Sequence, residues 1–259
     1  LMLVVSAPGR VYATHSFSKY GETEPLTFGL REDVSVKGRL LSLEGQPVSG
    51  VTVSVIRCER GDQEKVSVWL DRVSKNPPKP EAEPGMMIGS VAQEDRFPSK
   101  RNLKIPLEAT PTTTSDENGE FKISGFGADD LILMEVSGGG VVKSTLHVLG
   151  RNLQNKKITA GHRSNLSSVG DYYGRNFRYV TQPAVPVFGV VRDIETKEPL
   201  AGVEVAVGHV SGRTFSHTGY VITRTDDQGR YRIEGLPAVP KGSRRRDRNS
   251  LSIRPGELP

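Results

Sequence analysis

Val36-Lys-Gly-Arg-Leu-Leu-Ser-Leu-Glu-Gly-Gln-Pro-Val-Ser-Gly50-Val-Thr-Val-Ser-Val55 and Val187-Phe-Gly-Val-Val-Arg-Asp-Ile-Glu-Thr-Lys-Glu-Pro-Leu-Ala-Gly202-Val-Glu-Val-Ala-Val207 are two versions of one design, and that design decides the fold. Each reads as strand, turn, strand. Val51, Val53 and Val55 alternate with Thr and Ser, as Val203, Val205 and Val207 do with Glu and Ala, so at period two the valines share one buried face. The Pro-x-x-Gly before each set suits a turn, because proline fixes φ and glycine accepts backbone angles that a Cβ would forbid.

A second matched pair follows. Thr114-Ser-Asp116-Glu-Asn-Gly119-Glu-Phe121-Lys-Ile123-Ser-Gly125-Phe126 aligns with Thr225-Asp226-Asp-Gln-Gly229-Arg-Tyr231-Arg-Ile233-Glu-Gly235-Leu236. An Asp-rich turn closed by glycine, then an aromatic and an isoleucine alternating with polar residues, predicts a hairpin with a half-exposed second strand. From Gly50 to Gly119 is 69 residues and from Gly202 to Gly229 is 27, so the first copy carries an insertion of about 42 residues, placed at 60–111. Its Asn76-Pro-Pro-Lys-Pro-Glu-Ala-Glu-Pro84 run predicts an irregular surface excursion that the sandwich could lose without unfolding. Val66, Trp69, Leu70 and Val73, at i, i+3, i+4 and i+7, predict a short helix inside it, capping a sandwich edge.

Outside the repeat the chain is less regular. Leu131–Val136 and Val141–Val148 read as strands joined through Ser137-Gly-Gly-Gly140, and 151–183, polar and largely aperiodic, reads as a linker. Leu3–Gly9 and Leu26–Leu30 read as closing strands of a preceding, truncated sandwich over 1–31.

Composition agrees with short elements joined by many turns. Gly and Pro number 28 and 17 of 259 residues, hydrophobic residues are 35%, and no G-x-y period accompanies the glycine, which excludes collagen. No apolar run approaches the length of a membrane span. The net charge is +5, from 35 basic against 30 acidic residues, and most of the excess sits in the run Lys241–Arg248. The remainder is near neutral, which argues against a nucleic-acid-binding surface. The lone Cys58 excludes an internal disulfide framework, and its place at the end of a buried strand predicts an inert core thiol.

Taken together, strand-Pro-x-x-Gly-strand and the Asp-rich turn followed by Gly-x-[Phe/Tyr]-x-Ile-x-Gly-[Phe/Leu] resemble the carboxypeptidase regulatory-like domain, a transthyretin-like, Ig-like Greek-key β-sandwich. The resemblance covers 32–150 and, more cleanly, 184–259. It implies an all-β chain of tandem sandwiches like those in large planctomycete-type bacterial proteins, sometimes beside peptidase domains. It implies no catalytic residues and no cofactor, since the Asp and Gly of the motif serve turns: Gly50, Asp116 and Gly119 in one copy, Gly202, Asp226 and Gly229 in the other. Two departures stand out, the insertion in the first copy and a second copy that stops at Pro259 short of a full set of strands. The role implied is a non-catalytic structural or interaction module of a larger, exported bacterial protein. Its partners would be other domains of the same polypeptide, protein ligands or glycans. The alternatives are a carbohydrate-binding module and the appendage of a peptidase whose catalytic domain lies elsewhere.

Few residues in the sequence are spaced for chemistry. None of the five histidines has a Glu three residues later, so the His-x-x-Glu pair of a zinc carboxypeptidase is missing, as are Gly-x-Ser-x-Gly and the P-loop. Ser16-Phe-Ser-Lys19 fits Ser-x-x-Lys without a helical setting. The Asp-rich turns lack the ligand ladder of a calcium loop. Arg60-Gly61-Asp62 matches an integrin-binding tripeptide, and Lys37, on the first strand, is expected to point outward rather than form an internal cross-link. Trp69, Tyr172, Tyr173 and Tyr179, with Phe177, are the candidate sugar platform, because stacking on sugars needs exposed rings.

Overall fold

A computed structural model describes residues 2–16, 25–77, 94, 96–103, 110–154, 157–161, 169–210, 213–214, 222–238 and 250–254. Among these residues the chain is all-β apart from one α-helix. Its elements run β1 (Met2–Val5), β2 (Ala13–Ser16), β3 (Val34–Leu41), β4 (Thr52–Gly61), α1 (Gln63–Lys75), β5 (Ser99–Leu103), β6 (Thr112–Thr114), β7 (Glu120–Phe126), β8 (Asp130–Ser137) and β9 (Ser144–Leu149). There follow β10 (Lys157–Gly161), β11 (Val169–Tyr173), β12 (Asn176–Val180), β13 (Val187–Val190), β14 (Glu204–Val210), β15 (Arg213–Thr214), β16 (Ile222–Arg224), β17 (Arg230–Ile233) and β18 (Ser250–Arg254). Two compact units divide the chain. The first holds Leu1–Leu41, Pro47–Val136 and Ser144–Tyr179, the second Ser42–Gln46, Ser137–Lys143 and Val180–Pro259.

In the first unit a seven-stranded sheet runs β10-β11-β9-β8-β4-β5, with β6 also on β4, and a three-stranded sheet runs β12-β3-β7. Alternation packs Val36 and Leu40 of β3, Val53 and Val55 of β4, and Phe121 and Ile123 of β7 into the core. Strand β8 is buried on both faces, which explains its unbroken Leu131-Ile-Leu-Met134. Leu131 and Leu133 belong to a cluster with Val66, Trp69 and Val73 of α1, Phe97, Leu149 and Tyr172. Ile132 and Met134 therefore project from the other face.

Helix α1 forms where its stripe predicts. Asp62, in extended backbone, caps it by accepting from the Lys65 N–H, Glu64 occupies the first turn, and Arg72 and Lys75 the last. Its place corrects the expectation. The helix covers a sheet face rather than capping an edge, because Val66, Trp69 and Val73 are all buried against β8, β9 and β11. Nor is the whole insertion irregular, since β5 pairs with the far half of β4 in the register Cys58↔Leu103. The Pro-rich 78–84 lies outside the described residues.

Two other expectations are overturned. The supposed linker 151–183 supplies β10, β11 and β12: β11 adds to β9, β10 to β11, and β12 lies beside β3. The supposed remnant 1–31 forms a β1–β2 hairpin within the first unit, and 26–30 is not strand. Tyr12 anchors this segment, donating its N–H to the Gly125 carbonyl at 2.9 Å and setting its ring 5.9 Å from that of Phe126.

The second unit repeats the pairing order of the first. As β3 pairs with β7, β13 pairs with β17; as β4 carries β6 and β5 on different stretches, β14 carries β16 and β15. Strand β18 pairs with β14, as β8 neighbours β4. Val205, Val207, Ile233 and Leu236 form its buried cluster, with Val187, Val191 and Tyr231 packed against it. The turn Ser137–Lys143 contributes to this unit through Val142 N–H to Gln182 O and Lys143 N–H to Gly235 O.

Candidate functional site

The residues singled out at the hairpins come together, twice, in the same arrangement. Asp116 Oδ1 accepts from the N–H groups of Asn118 (2.9 Å) and Glu120 (2.8 Å), and Asp226 Oδ1 from those of Gln228 (2.9 Å) and Arg230 (2.8 Å). The closing glycines reach the first strand of each copy: Leu40 N–H donates to Gly119 O and Val191 N–H to Gly229 O, both at 2.8 Å. Gly119 and Gly229 hold φ of 72° and 69°, and a Cβ on either would collide with the carbonyl of Leu40 or Val191. Only glycine satisfies both constraints.

Beside each turn sits a hydroxyl that sequence reasoning passed over. Ser115 Oγ accepts from Val51 N–H at 3.0 Å and donates to Val48 O at 2.8 Å; Thr225 Oγ1 accepts from Val203 N–H at 2.9 Å and donates to Leu200 O at 2.7 Å. Gly50 and Gly202 donate their N–H to Ser115 O and Thr225 O, both at 3.0 Å. The hydroxyl thus clasps the turn before the second strand to the hairpin after it. Its signal was a Ser or Thr immediately before the aligned Asp.

A third correspondence lies in the sheet. Gly38 stands opposite Phe121 and Gly189 opposite Tyr231, and in each case a Cβ on the glycine would meet the ring. The aromatic lies flat over the strand because nothing projects there. Phe177 packs edge-on to Phe121 at 5.9 Å in the first unit.

The proposed sugar platform is not a surface. Trp69 is 4% and Tyr172 0% exposed, their rings 5.7 Å apart inside the cluster beneath α1. Burial also pushes the Tyr172 hydroxyl well above its ordinary pKa, the Glu59 carboxylate adding to it. Tyr173 and Tyr179 are half-buried and edge-on to each other at 6.1 Å, with Phe177 buried beside Tyr173. The expectation failed because helix α1, distant in sequence, covers the face on which Tyr172 stands.

The Arg60-Gly61-Asp62 tripeptide is structural. Arg60 makes a two-pronged ion pair with buried Asp130 (3.1 and 3.3 Å), Asp62 caps α1, and Gly61 leaves room for Val66 and Phe97. Asp130 also accepts from Gly127 N–H at 2.8 Å. Cys58 beside it is buried, and its thiol is raised well above the usual range, first by desolvation and then by the Asp130 carboxylate. A raised thiol is a poor nucleophile at neutral pH. Lys37 points outward and is exposed. With Lys122 directly opposite it and Arg178 on β12, it lines an open cleft of about 650 Å³.

Among the described residues no group of three His, Cys, Asp or Glu side chains is placed to hold a metal ion, and no helix is long and apolar enough to cross a membrane. His15 is edge-on to Phe28, His147 lies against Tyr172, and His209 pairs with Thr214 across β14 and β15. His162, His217, Lys19 and the basic run Lys241–Arg248 lie outside the described residues.

No family model matches the sequence, and no curated protein matches it. Among solved structures the chain is similar to a streptococcal ancillary pilin, at 13% identity and a TM-score of 0.25, over 91% of this chain and 62% of that one. It is also similar to a double mutant of the shaft pilin SpaA from Lactobacillus rhamnosus GG, at 11% identity and a TM-score of 0.28, over 87% and 88% of the two chains. A hydroxyquinol 1,2-dioxygenase from Pseudomonas putida DLL-E4 matches at 14% identity and a TM-score of 0.28, over 63% and 60%. The chain therefore spans less than two thirds of the length of the first of these.

Proposed function

We propose that this chain is a non-catalytic structural and interaction module, a pair of carboxypeptidase regulatory-like β-sandwiches within a larger exported bacterial protein. One observation carries the reading: the side chains that recur between the copies bind backbone. Asp116 and Asp226 hold their own turns, Ser115 and Thr225 clasp strand to hairpin, and Gly119 and Gly229 admit the neighbouring strand. A recurring site for chemistry would instead direct recurring polar groups at a common space.

The test is calcium, the ligand that an Asp-rich turn most readily suggests. Melting temperatures of the full chain, Asp116→Ala and Asp226→Ala are measured in calcium and in chelator. Both variants should melt lower than the parent, and none of the three proteins should respond to calcium. A calcium-dependent rise in the parent that either substitution abolishes would overturn the structural role of these turns.

A further inference from the structure

The fold demands glycine at 119, since that residue holds a φ of 72° and a Cβ on it would collide with the Leu40 carbonyl oxygen. The residue before it is Asn118, and no other asparagine in the sequence is followed by glycine. This dipeptide is chemically weak. Once the Gly119 nitrogen has given its proton to water, no side chain of its own hinders its attack on Asn118 Cγ. The new C–N bond closes a five-membered succinimide, and the amide nitrogen of Asn118 leaves as ammonia. Water then opens the ring at either carbonyl, leaving aspartate or isoaspartate, and no oxidant or cofactor is consumed.

In the folded chain the attack is barred. To reach Cγ the nitrogen has to swing with its whole peptide plane about the Cα–C bond of Asn118, because that plane is rigid. Both ends of the plane are pinned. The Gly119 N–H donates to Asp116 O at 2.9 Å, and the Asn118 carbonyl accepts from Arg39 Nε of β3 at 3.0 Å. The Asn118 N–H is held as well, by Asp116 Oδ1 at 2.9 Å. Asn118 is exposed and Gly119 is buried, so the amide that would be lost meets solvent while the residue that would attack does not.

We infer that Asn118 is a latent deamidation site, shut while its turn is closed and released when the turn opens, and that conversion to isoaspartate prevents the turn from closing again. Isoaspartate routes the chain through the side-chain carboxyl and so adds a methylene between Asp116 and Gly119. The turn has no slack for it, since Asp116 Oδ1 must reach Glu120 N–H and Gly119 O must reach Leu40 N–H, both at 2.8 Å. The second copy carries neither the hazard nor the guard. Its turn makes the same hydrogen bonds with Gln228 before Gly229, and the longer side chain would have to close a six-membered ring, which forms slowly. At the position of Arg39 it has Val190.

The test incubates the full chain at mildly alkaline pH, folded and in guanidinium chloride, and follows conversion at Asn118 by mass spectrometry of its peptides. Because the pinning hydrogen bonds must open together, conversion should be at least roughly tenfold slower in the folded chain than in the unfolded one. Arg39→Ala should raise the folded rate and leave the unfolded rate unchanged. After removal of denaturant, the aged wild type should recover less of the first unit's unfolding transition than Asn118→Gln aged beside it, a substitution whose side chain the second copy already uses in this turn. Equal rates in folded and unfolded wild type would overturn the inference, because the turn would then guard nothing. So would a folded rate that Arg39→Ala lowers, since Arg39 would then activate the Gly119 nitrogen by drawing charge from the carbonyl beside it. Full recovery of an aged wild type whose Asn118 has converted would overturn it too.

Discussion

At the scale of single residues, stability should concentrate in atoms that look incidental in the sequence. Removing the hydroxyl in Ser115→Ala leaves Val51 N–H and Val48 O short of a partner in a part-buried turn, and Thr225→Val does the same to Val203 and Leu200. Each loss should cost about 1 to 3 kcal/mol in chemical denaturation, while Ser115→Thr should cost little, because the second copy already uses threonine there. Equal stability of Ser115→Ala and wild type would show that water replaces the clasp.

The buried Cys58 gives a pH signature. Its folded pKa lies above the ordinary 9.0, so between the two values the folded chain keeps a proton that the unfolded chain releases. Stability must therefore fall as pH rises past 9.0, by up to about 1.4 kcal/mol per pH unit for the group. Tyr172, raised from 10.0, adds a second fall at higher pH. In Cys58→Ala the decline should begin only near the tyrosine range, as read from denaturation at stepped pH. An unchanged alkaline profile would mean that the thiol is reached by water in the folded chain.

At the scale of elements, α1 is an integral wall of the first unit. Trp69 packs edge-on to Phe97 at 5.5 Å and to Tyr172 at 5.7 Å, and Val66 and Val73 complete the cover over Leu131, Leu133 and Leu149. Trp69→Ala should cost about 3 to 5 kcal/mol, and replacing 63–75 by a flexible link should abolish cooperative unfolding of this unit. Retained cooperativity after that deletion would make the helix an accessory. The helix itself was legible, since its stripe, its Asp62 cap and its charged ends are local. Its position was not: amphipathicity tells which side of a helix is buried and nothing of what lies beneath it. The same limit hid β10 and β11. Lys157-Ile-Thr-Ala-Gly and Val169-Gly-Asp-Tyr-Tyr lack clean alternation, and they become strands through pairing with each other and with β9, a non-local cause. The paired turns were legible for the opposite reason. Asp116 accepts from N–H groups within four residues of itself and Gly119 supplies the positive φ that closes the same turn, so the same letters recur wherever the same turn does.

At the scale of the whole molecule, the two units share a framework and differ in what fills it. The first packs residues from both its sheets into a core, then covers the outer face of β8 and β9 with a helix and three buried aromatic side chains, Trp69, Phe97 and Tyr172. In the second, the buried cluster among the described residues is Val205, Val207, Ile233 and Leu236, and Tyr231, the counterpart of buried Phe121, is only partly covered. Phe121 is sealed by Phe177 of β12, and no described strand stands at that place beside β13. Since apolar burial is the main favourable contribution to folding, the second unit should be the weaker. Hydrogen exchange should therefore show less protection in 187–233 than in 34–149. Val207→Ala should lower the protection of the second unit by about 1 to 3 kcal/mol, and Val53→Ala that of the first by a similar amount. If the two units proved equally protected, the small aliphatic core of the second would suffice without a ring that seals Tyr231 as Phe177 seals Phe121.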